Sequence, residues 1–182
     1  MDLLDLFVTR GDAANESKGS AEIEIDAPAD KVYWLVSDVI KMGQWSPECY
    51  RCKWLGGVVA EVGARFKGYN RHGKHKWSTT CTVTESDPGK LFSSSTQPKG
   101  AKTQSLWLYE PEATSGGTRV RESFQVLWLT KPLMLVKFGG RKSRLTQLQE
   151  GLRQSLEWFE AIAKTPLPAA ATGVHAGYKS VS

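Results

Sequence analysis

The residue best placed for acid–base chemistry in this sequence is Glu122. It lies in Thr118-Arg119-Val120-Arg121-Glu122-Ser123-Phe124-Gln125-Val126. Alternation by two puts Val120, Phe124 and Val126 on one face of a strand, and Glu122 falls among them. If that face looks inward, Glu122 is a carboxylate in apolar surroundings. Desolvation raises the pKa of such a group and suits it to act as a general acid or base in enol or aldol chemistry. A structural carboxylate, hydrogen-bonded to a neighbouring strand or loop, fits the same pattern, and both readings stay open.

Other reactive types are less well organised. Cys49-Tyr50-Arg51-Cys52 is a C-x-x-C, but no second C-x-x-C or H-x-x-H pair follows at zinc-finger spacing. His72 and His75 straddle a turn, and residues three apart in a strand point to opposite faces, which works against a shared metal. No metal is expected. Gly-x-Ser-x-Gly is absent. Lys137-Phe138-Gly139-Gly140-Arg141-Lys142-Ser143 lacks the spacing of a phosphate loop. No cofactor is expected either.

The elements that must position these residues are legible from periodicity. A first strand is expected over 21–26. Ala27-Pro28-Ala29-Asp30 then starts a short helix with Pro28 in its first turn and Val32, Leu35, Val36 and Val39 on its apolar face. Further strands are expected near 49–55, 63–71, 75–85, 90–96, 103–110 and 118–128. Gly56-Gly57, Arg71-His72-Gly73, Asp87-Pro88-Gly89, Pro98-Lys99-Gly100 and Ser115-Gly116-Gly117 separate them. Connections this short favour an antiparallel meander. The chain then closes on one long helix near 142–164. Leu145, Leu148, Leu152, Leu156, Phe159 and Ile162 share one face of it; Gln147, Glu150, Arg153, Gln154, Glu157 and Glu160 share the other. A single helix with so broad an apolar stripe needs a curved sheet to cover it, and a cavity is expected between the two.

The 182 residues suffice for one domain with a real core. A flexible leader is expected over 1–19, the folded body over 20–164 and a disordered tail over 165–182. No run of eighteen apolar residues is present, and Met1 to Arg10 is short and acidic for a secretory signal, so a cytoplasmic location is the expectation. Three cysteines argue against a disulfide framework. The net charge of +5 comes from cations spread along strands, at Arg65, Lys67, Arg71, Lys74, Lys76, Arg119 and Arg121. They read as a solvated outer face, and no nucleic-acid partner is expected. Residues 127–138 are apolar and are followed by Arg141, Lys142 and Arg144. They suit a lid, a protein contact or peripheral contact with an anionic membrane.

The element order and several local stretches carry a family resemblance. They are Ile25-Asp26-Ala27-Pro28-Ala29-Asp30-Lys31-Val32-Tyr33, Val36-Ser37-Asp38-Val39, Trp45-Ser46-Pro47-Glu48-Cys49, Val62-Gly63-Ala64-Arg65-Phe66-Lys67-Gly68 and Gly116-Gly117-Thr118-Arg119-Val120. Over about 20–164 the chain resembles the SRPBCC superfamily of START-like, helix-grip domains, and within it the bacterial polyketide cyclase/dehydrase group. That resemblance implies an α+β helix-grip fold. A curved seven-stranded antiparallel sheet wraps a long C-terminal helix, with two short helices after the first strand. It implies binding of a hydrophobic small molecule such as a lipid, sterol or polyketide. Only some members catalyse, and no universal catalytic motif carries over. The expected ligand contacts are Trp45, Phe66, Trp77, Thr79, Cys81, Trp107, Phe124, Leu148 and Leu152, with Glu122 as the candidate catalytic group. Trp107 and Tyr109 compete with Leu106 and Leu108 for the inward face. Alternatives to simple binding are a cofactor-free cyclase or dehydratase using Glu122, and an interaction or regulatory module acting through 127–138.

Overall fold

The structure is a computed structural model and describes residues 18–97, 104–127 and 137–164. Seven strands form one antiparallel sheet: β1 (Lys18–Ile25), β2 (Cys49–Trp54), β3 (Arg65–His72), β4 (His75–Asp87), β5 (Leu91–Gln97), β6 (Ser105–Thr114) and β7 (Gly117–Val126). Their spatial order is β1-β7-β6-β5-β4-β3-β2. Six strands run as a meander, and β1 joins its far end beside β7. Helix α1 (Ala29–Ser37) and a 3₁₀ helix (Val39–Gln44) follow β1, and helix α2 (Arg141–Lys164) closes the chain. This is the α+β helix-grip arrangement expected from the sequence. Two details differ. β1 begins at Lys18, inside the expected leader, and Pro28 is the extended N-cap of α1 rather than part of its first turn.

Alternation follows the pleat most plainly on β4 and β7. On β4, Cys81 and Val83 are buried while Lys76 and Ser78 are exposed. On β7, Thr118, Val120, Glu122, Phe124 and Val126 all turn inward, between exposed Arg119 and Arg121. The cations Arg65, Arg71, Lys74 and Lys76 lie exposed as well. A register shift between Val83 and Glu85 against β5 marks a bulge, and such bulges let a sheet bend around a helix.

Helix α2 buries Leu148, Leu152, Leu156, Phe159 and Ala163, and exposes Glu150, Arg153, Gln154 and Glu157. Its two ends are tied down. Arg144 grips Glu48 with both terminal guanidinium nitrogens, Nη2 donating to Oε2 at 2.8 Å, and its Cζ lies 4.3 Å from the centroid of the Phe138 ring. Lys31 Nζ donates to the Ala163 carbonyl at 2.6 Å, placing a cation near the helix C-terminus where the dipole favours it. Gln149 Nε2 also reaches the Ser20 carbonyl of edge strand β1, at 2.8 Å.

Two glycines permit close approaches. Gly117 has φ +139° and passes so near Ile25 that a Cβ would stand 2.2 Å from its carbonyl oxygen. A Cβ at Gly43 would stand 2.6 Å from the Tyr50 carbonyl oxygen, so the 3₁₀ helix lies directly on β2. None of the helices among the described residues is long and apolar enough to cross a membrane. The expected leader before Lys18, the tail after Lys164, the Pro98–Gly100 turn and most of the 127–138 segment lie outside the described residues.

Candidate functional site

The buried space between sheet and helix divides into two clusters. The smaller holds Phe124, Val126, Leu148 and Leu152, with Trp107 and Leu145 packed against them. It is wholly apolar. The larger runs from α1 through Trp45 to Tyr109, Leu156 and Phe159. Within it Val36, Val120, Leu156 and Phe159 surround four polar side chains: Trp45, Tyr109, Glu122 and Ser155.

Each polar group arrives from a different element. Glu122 is the cross-strand partner of Tyr109, so two-residue alternation on β6 and β7 turns both inward at the same level. Tyr109 Oη donates to Glu122 Oε1 at 2.8 Å. Ser155 comes from the apolar stripe of α2, one turn beyond Leu152. Trp45 follows the 3₁₀ helix, its N–H bonded to the Met42 carbonyl at 3.2 Å. Its ring meets Tyr109 and Phe159 edge-on, each at 5.7 Å between centroids.

Glu122 is 2 % exposed. Burial raises its pKa to about 8, against the opposing hydrogen bond from Tyr109 and the weaker pull of the nearby Ser155 hydroxyl, which stands outside bonding geometry. The carboxyl is therefore mostly neutral at neutral pH and ionises just above it. The Tyr109 phenol is held well above its ordinary range by burial and by the adjacent carboxylate. Ser155 completes no hydrogen bond to Oε2, and both Glu122 Oε2 and Trp45 Nε1 are buried with no partner. The gap they face is too narrow to admit a water molecule, so the expected cavity is closed at this point.

Of the residues expected to touch a ligand, the structure brings Trp45 and Glu122 together here. Trp107, Phe124, Leu148 and Leu152 meet in the apolar cluster instead. Phe66 is buried against Trp54 at 5.5 Å, and Thr79 Oγ1 lies 3.8 Å from Cys81 Sγ beneath β2 and β3. Trp77 packs edge-on to Phe138 at 5.4 Å, beyond the helix start. Tyr109 and Trp107 share the inward face of β6, opposite Glu122 and Phe124. Ser155 was absent from the sequence-based candidates, although its place on the apolar stripe of α2 was a readable signal.

The histidine expectation needs a correction. His72 and His75 pair directly across the β3–β4 turn, so they lie on the same face rather than on opposite ones. The chain reverses between them, and strand parity counts only within one strand. His72 packs at a tilt against Phe138, 5.5 Å between centroids. Among the described residues no group of three or more His, Cys, Asp and Glu side chains is arranged to hold a metal.

A curved seven-stranded antiparallel sheet gripping one long helix, with two short helices after the first strand, is the helix-grip fold. The chain belongs to the family described as polyketide cyclase / dehydrase and lipid transport, whose profile matches residues 17–157. Solved structures share the fold. Protein CV1439 from Chromobacterium violaceum is 18 % identical with a TM-score of 0.64, over 82 % of this chain and 99 % of that one. TTHA0849 from Thermus thermophilus is 18 % identical with a TM-score of 0.62, over 80 % of this chain and 96 % of that one. The di-domain ARO/CYC StfQ from the steffimycin biosynthetic pathway is 13 % identical with a TM-score of 0.64, over 83 % of this chain and 52 % of that one. No curated protein matches the sequence.

Proposed function

We propose that the protein binds a hydrophobic small molecule of the lipid, sterol or polyketide type between the sheet and α2, with Glu122, Tyr109 and Trp45 as its polar anchors. The observation that carries this reading is the pair of unsatisfied polar atoms, Trp45 Nε1 and Glu122 Oε2, in one apolar pocket. Buried polar groups are nearly always hydrogen-bonded, and leaving one unpaired costs about 1–3 kcal/mol. While Glu122 is neutral, its O–H and the indole N–H are both donors. Two donors in an apolar pocket suit an acceptor oxygen, such as the ketone of a polyketide or sterol. The family description supports the same ligand classes. The gap admits no water-sized molecule, whereas ordinary ligand sites enclose roughly 300–1,000 Å³, so entry requires Leu156 or Phe159 to swing aside.

Native mass spectrometry of the purified protein, with organic extraction, identifies any bound molecule. Fluorescence titration with a hydrophobic aromatic ketone then tests the anchors. Trp45→Phe and Glu122→Leu are each expected to weaken binding by about tenfold, the worth of one buried hydrogen bond. Unchanged affinity in both variants would remove the pocket from consideration.

A second reading, a cofactor-free cyclase or dehydratase, is favoured by one specific observation. The pKa of about 8 leaves Glu122 able both to give and to take a proton near neutral pH. Tyr109 would orient the carboxyl through its hydrogen bond to Oε1. On this reading Glu122→Gln abolishes turnover of a polyketide substrate while a ketone ligand still binds through Trp45. Turnover that survives the substitution eliminates the acid–base role.

A further inference from the structure

The C-x-x-C of β2 gains from the tertiary structure a property that strand geometry alone denies it. In a regular strand, residues three apart face opposite ways. Here Cys49 pairs with Asn70 and Arg51 with Tyr69, so one residue is inserted at Tyr50 and the strand bulges. Tyr50 and Arg51 both turn outward and are exposed, while Cys49 and Cys52 both turn inward and are buried. Their sulfurs stand 3.3 Å apart. Across the ladder the partner of Cys52 is Gly68, where even a Cβ would lie 3.7 and 3.8 Å from the two sulfurs, so no side chain separates them.

We propose that Cys49 and Cys52 form a redox-active dithiol that closes to an intramolecular disulfide by exchange with a low-molecular-weight disulfide. The sulfurs must approach by about 1.3 Å to reach bonding distance. β2 is the edge strand of the sheet, so exposing the pair disrupts one ladder only. The roles of the two thiols differ. The contact between the two sulfurs lowers the Cys49 pKa, while that contact and burial raise the Cys52 pKa. Cys49 is the attacking sulfur. Its thiolate attacks one sulfur of the oxidant R–S–S–R, forming a mixed disulfide and releasing RS⁻, which takes up a proton. Cys52 then loses its proton and attacks Cys49 Sγ, breaking the mixed bond and releasing the second RS⁻. Two protein thiols are oxidised by two electrons, and one small disulfide is reduced to two thiols. Cys81 takes no part. It is held by Thr79 on β4, and burial pushes its thiol up to about 12.

The test uses the full-length reduced protein and oxidised glutathione as the probe, with alkylation under denaturing conditions and mass spectrometry. The expected product has lost two hydrogens, yields a peptide crosslink between Cys49 and Cys52, and keeps one alkylatable thiol at Cys81. Added reduced glutathione reverses it. Cys52→Ser is expected to stop at a glutathione adduct on Cys49, and Cys81→Ser to behave as the wild type. Three alkylatable thiols persisting in the native protein, a stable glutathione adduct on the wild type, or a crosslink involving Cys81 or a second molecule would each overturn the proposal. The wild-type mapping decides the matter alone if a variant fails to fold.

Discussion

The two clusters under α2 share β6, β7 and the helix itself, yet they differ in kind. Near Leu148 and Leu152, Phe124, Val126 and Trp107 fill the space with carbon, and the orphaned amide oxygens of the neighbouring residues Gln125 and Gln147 are not part of that cluster. One helical turn further on, Ser155 replaces a leucine on the stripe, and Glu122 takes the β7 position between Val120 and Phe124. There the packing encloses two unpartnered polar atoms. Close-packed apolar contacts stabilise a fold; unsatisfied polar groups weaken it and persist where a partner molecule can complete them. On the proposed binding function, one end of the helix serves stability and the other recognition.

That division can be tested by substitution. The largest effect is expected at the apolar end. Leu152→Ala deletes a side chain only 1 % exposed and should lower unfolding free energy by about 2–5 kcal/mol in urea titration. A change near zero would deny that the helix face is core.

Next comes the pH dependence set by Glu122. Its pKa is about 8 in the folded chain against 4.5 for the ordinary group, so between these values the folded state holds a proton the unfolded state has released. Stability is then greatest below the lower value and falls as pH rises through the upper one, by up to about 1.4 kcal/mol per pH unit. Denaturant titrations from about pH 5 to about pH 9 should show that decline in the wild type and lose it in Glu122→Gln. Equal slopes in the two proteins would mean that the carboxyl is not desolvated.

Tyr109→Phe removes the hydrogen bond that favours the ionised carboxyl. It should cost about 1 kcal/mol and carry the stability decline to higher pH. A shift to lower pH would reverse the role assigned to the phenol. The smallest effect is expected from Ser155→Ala. Its hydroxyl completes no bond to Oε2, so stability should stay within about 0.5 kcal/mol of the wild type. A larger loss would show that the serine satisfies the carboxyl after all.

Much of the site's raw material was legible in the sequence. Alternation on β7 marked Glu122 as inward, and the stripe on α2 named Leu148, Leu152, Leu156 and Phe159, because both periods are local properties of the backbone. The parity of β6 was not legible, since Leu106, Trp107, Leu108 and Tyr109 offer bulk on both faces. Only pairing with β7 sets Tyr109 against Glu122. Nor did spacing predict which expected contacts would meet. Trp45 reaches the carboxyl's pocket because Gly43 lets the 3₁₀ helix settle on β2, while Trp77 ends beside Phe138, away from that pocket.

The sequence by itself determined the element order, the inward carboxylate and the apolar stripe of the closing helix, through periods of two and 3.6 residues that need no knowledge of neighbours. Tertiary structure decided the rest. A bulge at Tyr50 turned two cysteines to one side, a hairpin brought two histidines face to face, and strand register joined a phenol to an acid. Each depends on which residue lies opposite across a ladder, and a shift of one residue in that pairing reverses every side chain that follows.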